Sequence, residues 1–273
     1  MGGWGAELSG VERTALVTLY LRALESRSKD SILRDHAASE AVRRIGDDLG
    51  LGSLKMRLTA GDRYLVVLRA RQFDLWAKAF LARHHDAVVV QLGCGLDSRA
   101  SRLNVPAGVP WFDVDLPEVA ALRRELFPDR EGHRTIGASV TESQWWEEIP
   151  WDRPVLAIAE GLLMYLPEPE VRRLLERLTD RFTTGSLLFD GAAPWVVWVS
   201  NRLPRIYGEF TMQWATRDAR EVERWIPRLR CVEEIALLAQ HAVIPSRLHR
   251  HLYQALGLIP PLRDELRLFR FEF

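Results

Sequence analysis

Residues 88–99 read VVVQLGCGLDSR. A short β-branched run is a buried strand, and a G-x-G turn directly behind it marks the strand's carboxyl end. Glycine belongs there because a Cβ would block the close approach of a ligand to the backbone. In open α/β sheets that edge is where ligands bind. Taken alone, the turn also fits a tight connection with no ligand.

The rest of the chain is organised around this strand. Residues 10–26, 35–49 and 61–83 carry helical periodicity, with Asp35 as a cap for the second helix. From residue 86 the pattern changes. Strands are expected at 86–92, 110–114, 154–159 and 185–190, and helices at 98–103, 117–126, 141–149 and 167–181. Alternating strands and helices predict crossover units, hence a mostly parallel sheet with helices on both faces. After Gly191 the chain turns aromatic and irregular, with Trp195, Trp198, Tyr207, Phe210, Trp214 and Trp225. Arg230–Ala236 and 266–273 read as closing strands. No linker separates parts, so one domain over 1–273 is expected. Within it, 1–85 forms an N-terminal helical cap, 86–190 the alternating α/β core, and 191–273 an aromatic segment and the closing strands.

Charge excludes some partners. The 273 residues carry 37 basic and 37 acidic side chains, no surplus for neutralising nucleic-acid phosphates. Of the 37 basic residues 34 are arginine, which mainly reflects compositional bias. Two cysteines, Cys94 and Cys231, build no disulfide framework and no metal spacing. The opening MGGWGAELSGVERTALV is unlike a secretory leader, and the longest apolar stretch, 192–199, is too short to span a membrane. The expected compartment is the cytoplasm.

The ligand class follows from what surrounds the glycine turn. A dinucleotide fingerprint wants a third glycine where Ser98 stands, and no triphosphate P-loop is present. The next strand ends in Phe112-Asp113-Val114-Asp115, with Asp113 placed 20 residues after Gly93. An acid at that distance suits the two hydroxyls of a ribose, and either aspartate could serve. Glu160 follows the apolar run 154–159, so it reaches the same edge, as a helix cap or as a partner for a cationic group.

Together these blocks resemble the leucine carboxyl methyltransferase superfamily, and within it the bacterial polyketide O-methyltransferases of tetracenomycin type. The resemblance is carried by ALESRSKDSILRDHAA (23–38), LRARQFD (68–74), VVVQLGCGLDSRASRL (88–103), FDVDLPEV (112–119), AEGLLMYLPEPEV (159–171) and FTMQW (210–214). It implies a class I S-adenosylmethionine-dependent methyltransferase fold, a seven-stranded sheet with one antiparallel strand under an N-terminal helical lid. It further implies S-adenosyl-L-methionine as cofactor and no metal. Gly93 and Gly95 match the glycine loop under the cofactor, and Asp115 the ribose-binding acid, with Asp113 second. Arg69 matches an arginine near the methionine carboxylate, and Arg22, across a gap, a basic residue of the lid. Glu160 matches the acid near the amino or sulfonium end, and Tyr165 completes that block. The family's Ala-Asp-Leu triplet, whose acid binds the adenine amino group, is Ala138-Ser139-Val140 here. Ser139 can accept one hydrogen bond there, without charge.

Such an enzyme transfers methyl in line from a sulfonium to an oxygen, a step helped by proximity and exclusion of water. A carboxylate acceptor is already ionised near neutral pH, whereas a phenol gains from a general base. His36, His84, His85, His133, His241, His249 and His251 all read as surface or structural, which tilts the choice toward a carboxyl acceptor. Glu160 and Tyr165 are the catalytic candidates. Tyr165, Tyr207, Phe210, Met212 and Trp214 are candidates for a pocket that stacks a flat small-molecule acceptor. Arg99 and Arg205 are candidates for holding an acceptor carboxylate, Arg99 being equally a partner for Asp97. Competing readings are a protein carboxyl methyltransferase acting on a chain terminus, a nicotinamide oxidoreductase, and a cofactor-binding protein without catalysis.

Overall fold

A computed structural model describes residues 10–46, 62–106, 108–202, 211–216 and 218–273. Three helices come first: α1 (Gly10–Ser26), α2 (His36–Ile45) and α3 (Asp62–Leu81). Asp35 caps α2 as expected, its side chain accepting the Ala38 N–H at 3.0 Å. Strands β1 (Val88–Leu92), β2 (Trp111–Asp115), β3 (His133–Gly137), β4 (Val155–Ala159) and β5 (Gly185–Ala192) then alternate with helices. Among these, α4 (Arg99–Arg102) is one turn, while α5 (Pro117–Leu126) and α6 (Glu168–Arg181) are longer. Proline at the first turn of α5 and α6 costs no hydrogen bond, which fixes where both begin.

The seven strands form one sheet in the order β3-β2-β1-β4-β5-β7-β6, where β6 is Arg230–Ala236 and β7 is Leu266–Glu272. Strands β1 to β5 pair in parallel, and β7 runs antiparallel to both β5 and β6. The expected α/β sheet with a single antiparallel strand is what the chain forms. The β1 residues alternate between two cores, as the period of two requires. Val88, Val90 and Leu92 pack with Leu174 and Leu178 of α6. Val89 packs with Leu68 and Phe73 of α3. A third cluster joins α1 and α2 to Leu96, Leu122 and Leu126, seating the N-terminal helices over the glycine turn.

Three expectations need correction. Strand β2 includes Asp115, one residue past the expected end, because Asp115 pairs with Gly137 of β3. Residues 141–149 hold only a tight helical turn at Gln144–Glu148. The stretch after Gly191 is not irregular throughout: α7 (Pro194–Arg202), α8 (Ala219–Trp225), α9 (Arg247–Gly257) and α10 (Pro260–Arg263) lie there. Its tryptophans and β-branched residues hid the helical period, since α7 is apolar on nearly every side. No helix among the described residues is long and apolar enough to cross a membrane.

Candidate active site

Every parallel strand from β1 to β5 delivers its carboxyl end to the same edge, and a cavity of about 280 Å³ opens there. Its floor is the turn after β1. Gly93 and Gly95 both have positive φ, 58° and 51°, a conformation that disfavours a Cβ. A Cβ on Gly93 would also lie 2.8 Å from Leu162 Cδ1, and Leu162 is part of the cavity wall. Helix α1 forms the roof with Thr14, Ala15, Thr18 and Arg22. Ser139 and Val140 line it after β3, and Glu160, Gly161, Leu162, Tyr165 and Leu166 after β4.

Asp115 stands at the end of β2 with its carboxylate against the glycine loop. Its Oδ2 accepts the Gly95 N–H at 2.6 Å, and its Oδ1 the Leu116 N–H at 2.8 Å. Burial raises its pKa, and the two amides only partly oppose that. It makes no ion pair among the described residues, so its lone pairs remain available to hydroxyl donors. Asp113 is different. It is fully buried, outside the cavity lining, and committed to Arg123, His133 and the Trp111 indole N–H. The two acids that sequence left as alternatives are thus separated by their partners.

At the opposite end of the cavity Arg69, from the middle of α3, reaches Glu160 at 3.0 Å and Asp190 at 2.9 Å. Burial works against its charge, but Asp190 and Glu160 outweigh burial and hold the guanidinium above its ordinary pKa. Asp190, the sixth residue of β5, also accepts the Gly161 N–H and fixes the turn after β4. Burial pushes Asp190 up, against the opposing pull of Arg69. Tyr165 lies beside this pair, and burial raises its phenol pKa despite Arg69.

Beneath the cavity runs a buried network of arginines and acids. Arg99 is wholly buried against Asp74, Asp97 and Glu160. It is not part of the cavity wall and is the partner of Asp97 that the sequence allowed it to be. Arg102 binds Asp35, Asp74 and Asp97, and Arg22 binds Asp35 at 3.1 Å. Buried charges persist only when paired in this way. Cys94 sits buried between the two glycines, and burial pushes its thiol pKa well above the ordinary value, which suits a packing residue.

Of the residues named from sequence, Arg22, Arg69, Gly93, Gly95, Asp115, Ser139, Val140, Glu160 and Tyr165 all line this cavity. Trp214 does not: it is 3% exposed and packs on Phe189 and Trp225 in the core. Met212 is outside the lining, its backbone bonded to Asn201 of α7. Tyr207, Phe210 and Arg205 lie outside the described residues. No histidine lines the cavity among the described residues. Sequence reasoning passed over Gln91, Asp97, Asp190 and the roof threonines. Asp190 had a usable signal, an acid ending an apolar strand as Glu160 does. The threonines had none.

Similarity to known proteins bears on this architecture. The model of the family described as leucine carboxyl methyltransferase matches residues 15–179. The chain is 40% identical over 269 residues to the tetracenomycin polyketide synthesis O-methyltransferase TcmP of Streptomyces glaucescens, covering 97% of this chain and 98% of that one. It is 34% identical over 256 residues to the S-adenosyl-L-methionine-dependent methyltransferase dpfgK of Gibberella zeae, covering 86% and 85%. The solved structure of a DUF574 family protein from Streptomyces avermitilis shares the fold, with a TM-score of 0.57 at 15% identity over 94% of this chain and 96% of that one. On the family match over residues 15–179 and 40% identity along nearly the whole of both chains, the chain belongs to the leucine carboxyl methyltransferase family, alongside the tetracenomycin-type O-methyltransferase.

Proposed function

We propose that this protein is an S-adenosylmethionine-dependent O-methyltransferase that acts on a carboxyl or phenolic oxygen of a small, polyketide-like acceptor. The observation that carries the reading is the placement of Gly95, Asp115, Arg69 and Glu160 around one cavity at the carboxyl edge of the sheet. The names of the two relatives, one a polyketide O-methyltransferase, support it.

The residues fit this cofactor. The positive-φ glycines shape the cavity floor, and a Cβ at Gly93 would press on Leu162 in its wall. Asp115 would take the ribose hydroxyls, its carboxylate already oriented by two backbone amides. Glu160 would face the cationic end and Arg69 the amino-acid carboxylate, each held by the other. Ser139 and Val140 would flank the adenine. When bound, the cofactor supplies an electrophilic methyl group on a sulfonium. The chain's part is to orient it and keep water away, and Val119, Val140, Leu162 and Leu166 give the cavity apolar walls for that purpose. Tyr165 would border the acceptor. In this reading 1–85 is a lid, 86–190 the cofactor core and 191–273 the acceptor side, and the enzyme works in the cytoplasm.

The test is methyl transfer from labelled cofactor to a panel of aromatic polyketide acids, their phenols, and a peptide with a free C-terminus. Label is expected on a small-molecule oxygen. Transfer to the peptide alone would replace the small-molecule reading with a protein carboxyl methyltransferase.

A further inference from the structure

We infer that Arg123 is a positioning residue that sets the conformation of the cofactor-binding glycine loop without touching a ligand itself; this rests on the cofactor reading proposed above. Arg123 comes from α5, is 1% exposed, and is not part of the cavity wall. Its Nη1 donates to two loop carbonyls, Gly95 O at 3.1 Å and Asp97 O at 2.6 Å. Its Nε and Nη2 both donate to Asp113 Oδ2. Asp113 is fixed in turn by the Trp111 indole at 2.9 Å and by His133 Nε2 at 2.5 Å.

Other groups hold the peptides that Arg123 leaves. Asp115 accepts the Gly95 N–H, and Arg22 Nη2 of α1 donates to Leu96 O at 2.7 Å. Four consecutive peptide units from Cys94 to Ser98 are therefore held by side chains, two of them by Arg123. A trans peptide points its N–H opposite to its carbonyl. Pinning the Gly95 and Asp97 carbonyls thus also aims the Leu96 and Ser98 N–H groups away from Arg123. The same pinning keeps Gly95 in the conformation that presents its N–H to Asp115. The fork spreads its donors over three nitrogens, so Nη1 reaches the carbonyls while Nε and Nη2 reach the carboxylate, a span that the three donors of a single ammonium nitrogen do not cover. This gives Asp113 a task distinct from ribose binding: it is the counter-charge that orients the Arg123 fork.

The test uses the full chain and S-adenosylhomocysteine in calorimetry. Arg123→Lys is expected to bind about tenfold more weakly or worse, with far-ultraviolet circular dichroism unchanged. Asp113→Asn keeps the guanidinium and removes its orienting charge, and the same loss is expected, so the test survives if Arg123→Lys does not fold. Arg228→Lys is the structural control. Arg228 also donates to backbone carbonyls, those of Thr179, Phe182 and Thr183, away from the cavity, and its variant is expected to keep wild-type affinity. With an accepted substrate, KM for the cofactor should rise in Arg123→Lys while kcat at saturating cofactor stays within about threefold. A wild-type chain that binds no S-adenosylhomocysteine overturns the cofactor reading and this inference with it. A wild type that binds, with folded Arg123→Lys or Asp113→Asn binding equally well, overturns the inference alone.

Discussion

Arg69 and Glu160 lie 91 residues apart in the chain and meet at 3.0 Å, Nε to Oε1, where α3 crosses the carboxyl edge of the sheet. Glu160 also pairs with Arg99, so one carboxylate joins the cavity to the buried network beneath it. Glu160→Gln removes the charge and leaves an amide unable to accept from two guanidinium groups as well. Turnover is expected to fall about 100-fold or more, equivalent to about 2.7 kcal/mol of barrier. Stability is expected to fall by about 3 kcal/mol, the lower end for breaking a buried pair. Steady-state rates and urea unfolding read the two effects separately, and full activity would remove Glu160 from the site.

Asp115→Ala takes away the cavity carboxylate that accepts the Gly95 and Leu116 backbone N–H groups. Cofactor affinity is expected to drop about tenfold or more, from the loss of hydrogen bonds to a charged group worth about 1.5–3 kcal/mol each. Calorimetric titration checks this, and unchanged affinity would refute the assignment.

Gly93→Ala places a methyl at a φ of 58° and against Leu162. The conformation alone costs about 1–2 kcal/mol. Leu162 can yield only by shifting in the wall of the cavity, so weaker cofactor binding should accompany a lower melting temperature. Gly46→Ala is the comparison: φ is 63° there, but a Cβ meets nothing within 4 Å, so only the stability loss is expected.

Asp97 gives a pH prediction. Burial opposes its charge, but Arg102, Arg99 and Arg22 outweigh burial and hold the carboxyl well below its ordinary pKa. A carboxyl depressed in the folded state stabilises fully above its unfolded value of about 3.9, and that stability is lost as pH falls further toward the folded value. Wild-type stability should therefore decline below about pH 4, and Asp97→Asn should be less stable at neutral pH with a shallower acid limb. Urea midpoints measured from pH 7 down to 3 decide it, and parallel curves for the two proteins would count against the assignment.

Much of this was legible because local rules and tertiary roles agreed. A β-branched run ending in G-x-G could be only a buried strand and its turn, and apolar strands ending in an acid pointed to the ligand edge. Asp113 and Asp115 could not be told apart, since they share a strand face and differ in their partners in the fold: Arg123 of α5, His133 of β3 and the Trp111 indole for Asp113, two backbone amides for Asp115. Trp214 looked like a pocket residue because an aromatic serves core and pocket equally well, and only its burial against Phe189 decides. Helix α7 was hidden because its apolar residues surround the helix rather than marking one face. Four of the 34 arginines, Arg22, Arg69, Arg99 and Arg102, are committed to buried acids around and beneath the cavity, a role that composition alone does not reveal.

The account turns on what occupies the cavity between Asp115 and Glu160. Calorimetric titration of the wild-type chain with S-adenosylmethionine, S-adenosylhomocysteine and NAD tests it most directly. Saturable one-site binding of both sulfur nucleosides is predicted, with no heat from NAD. Failure to bind either sulfur nucleoside, or binding of NAD in their place, would contradict it.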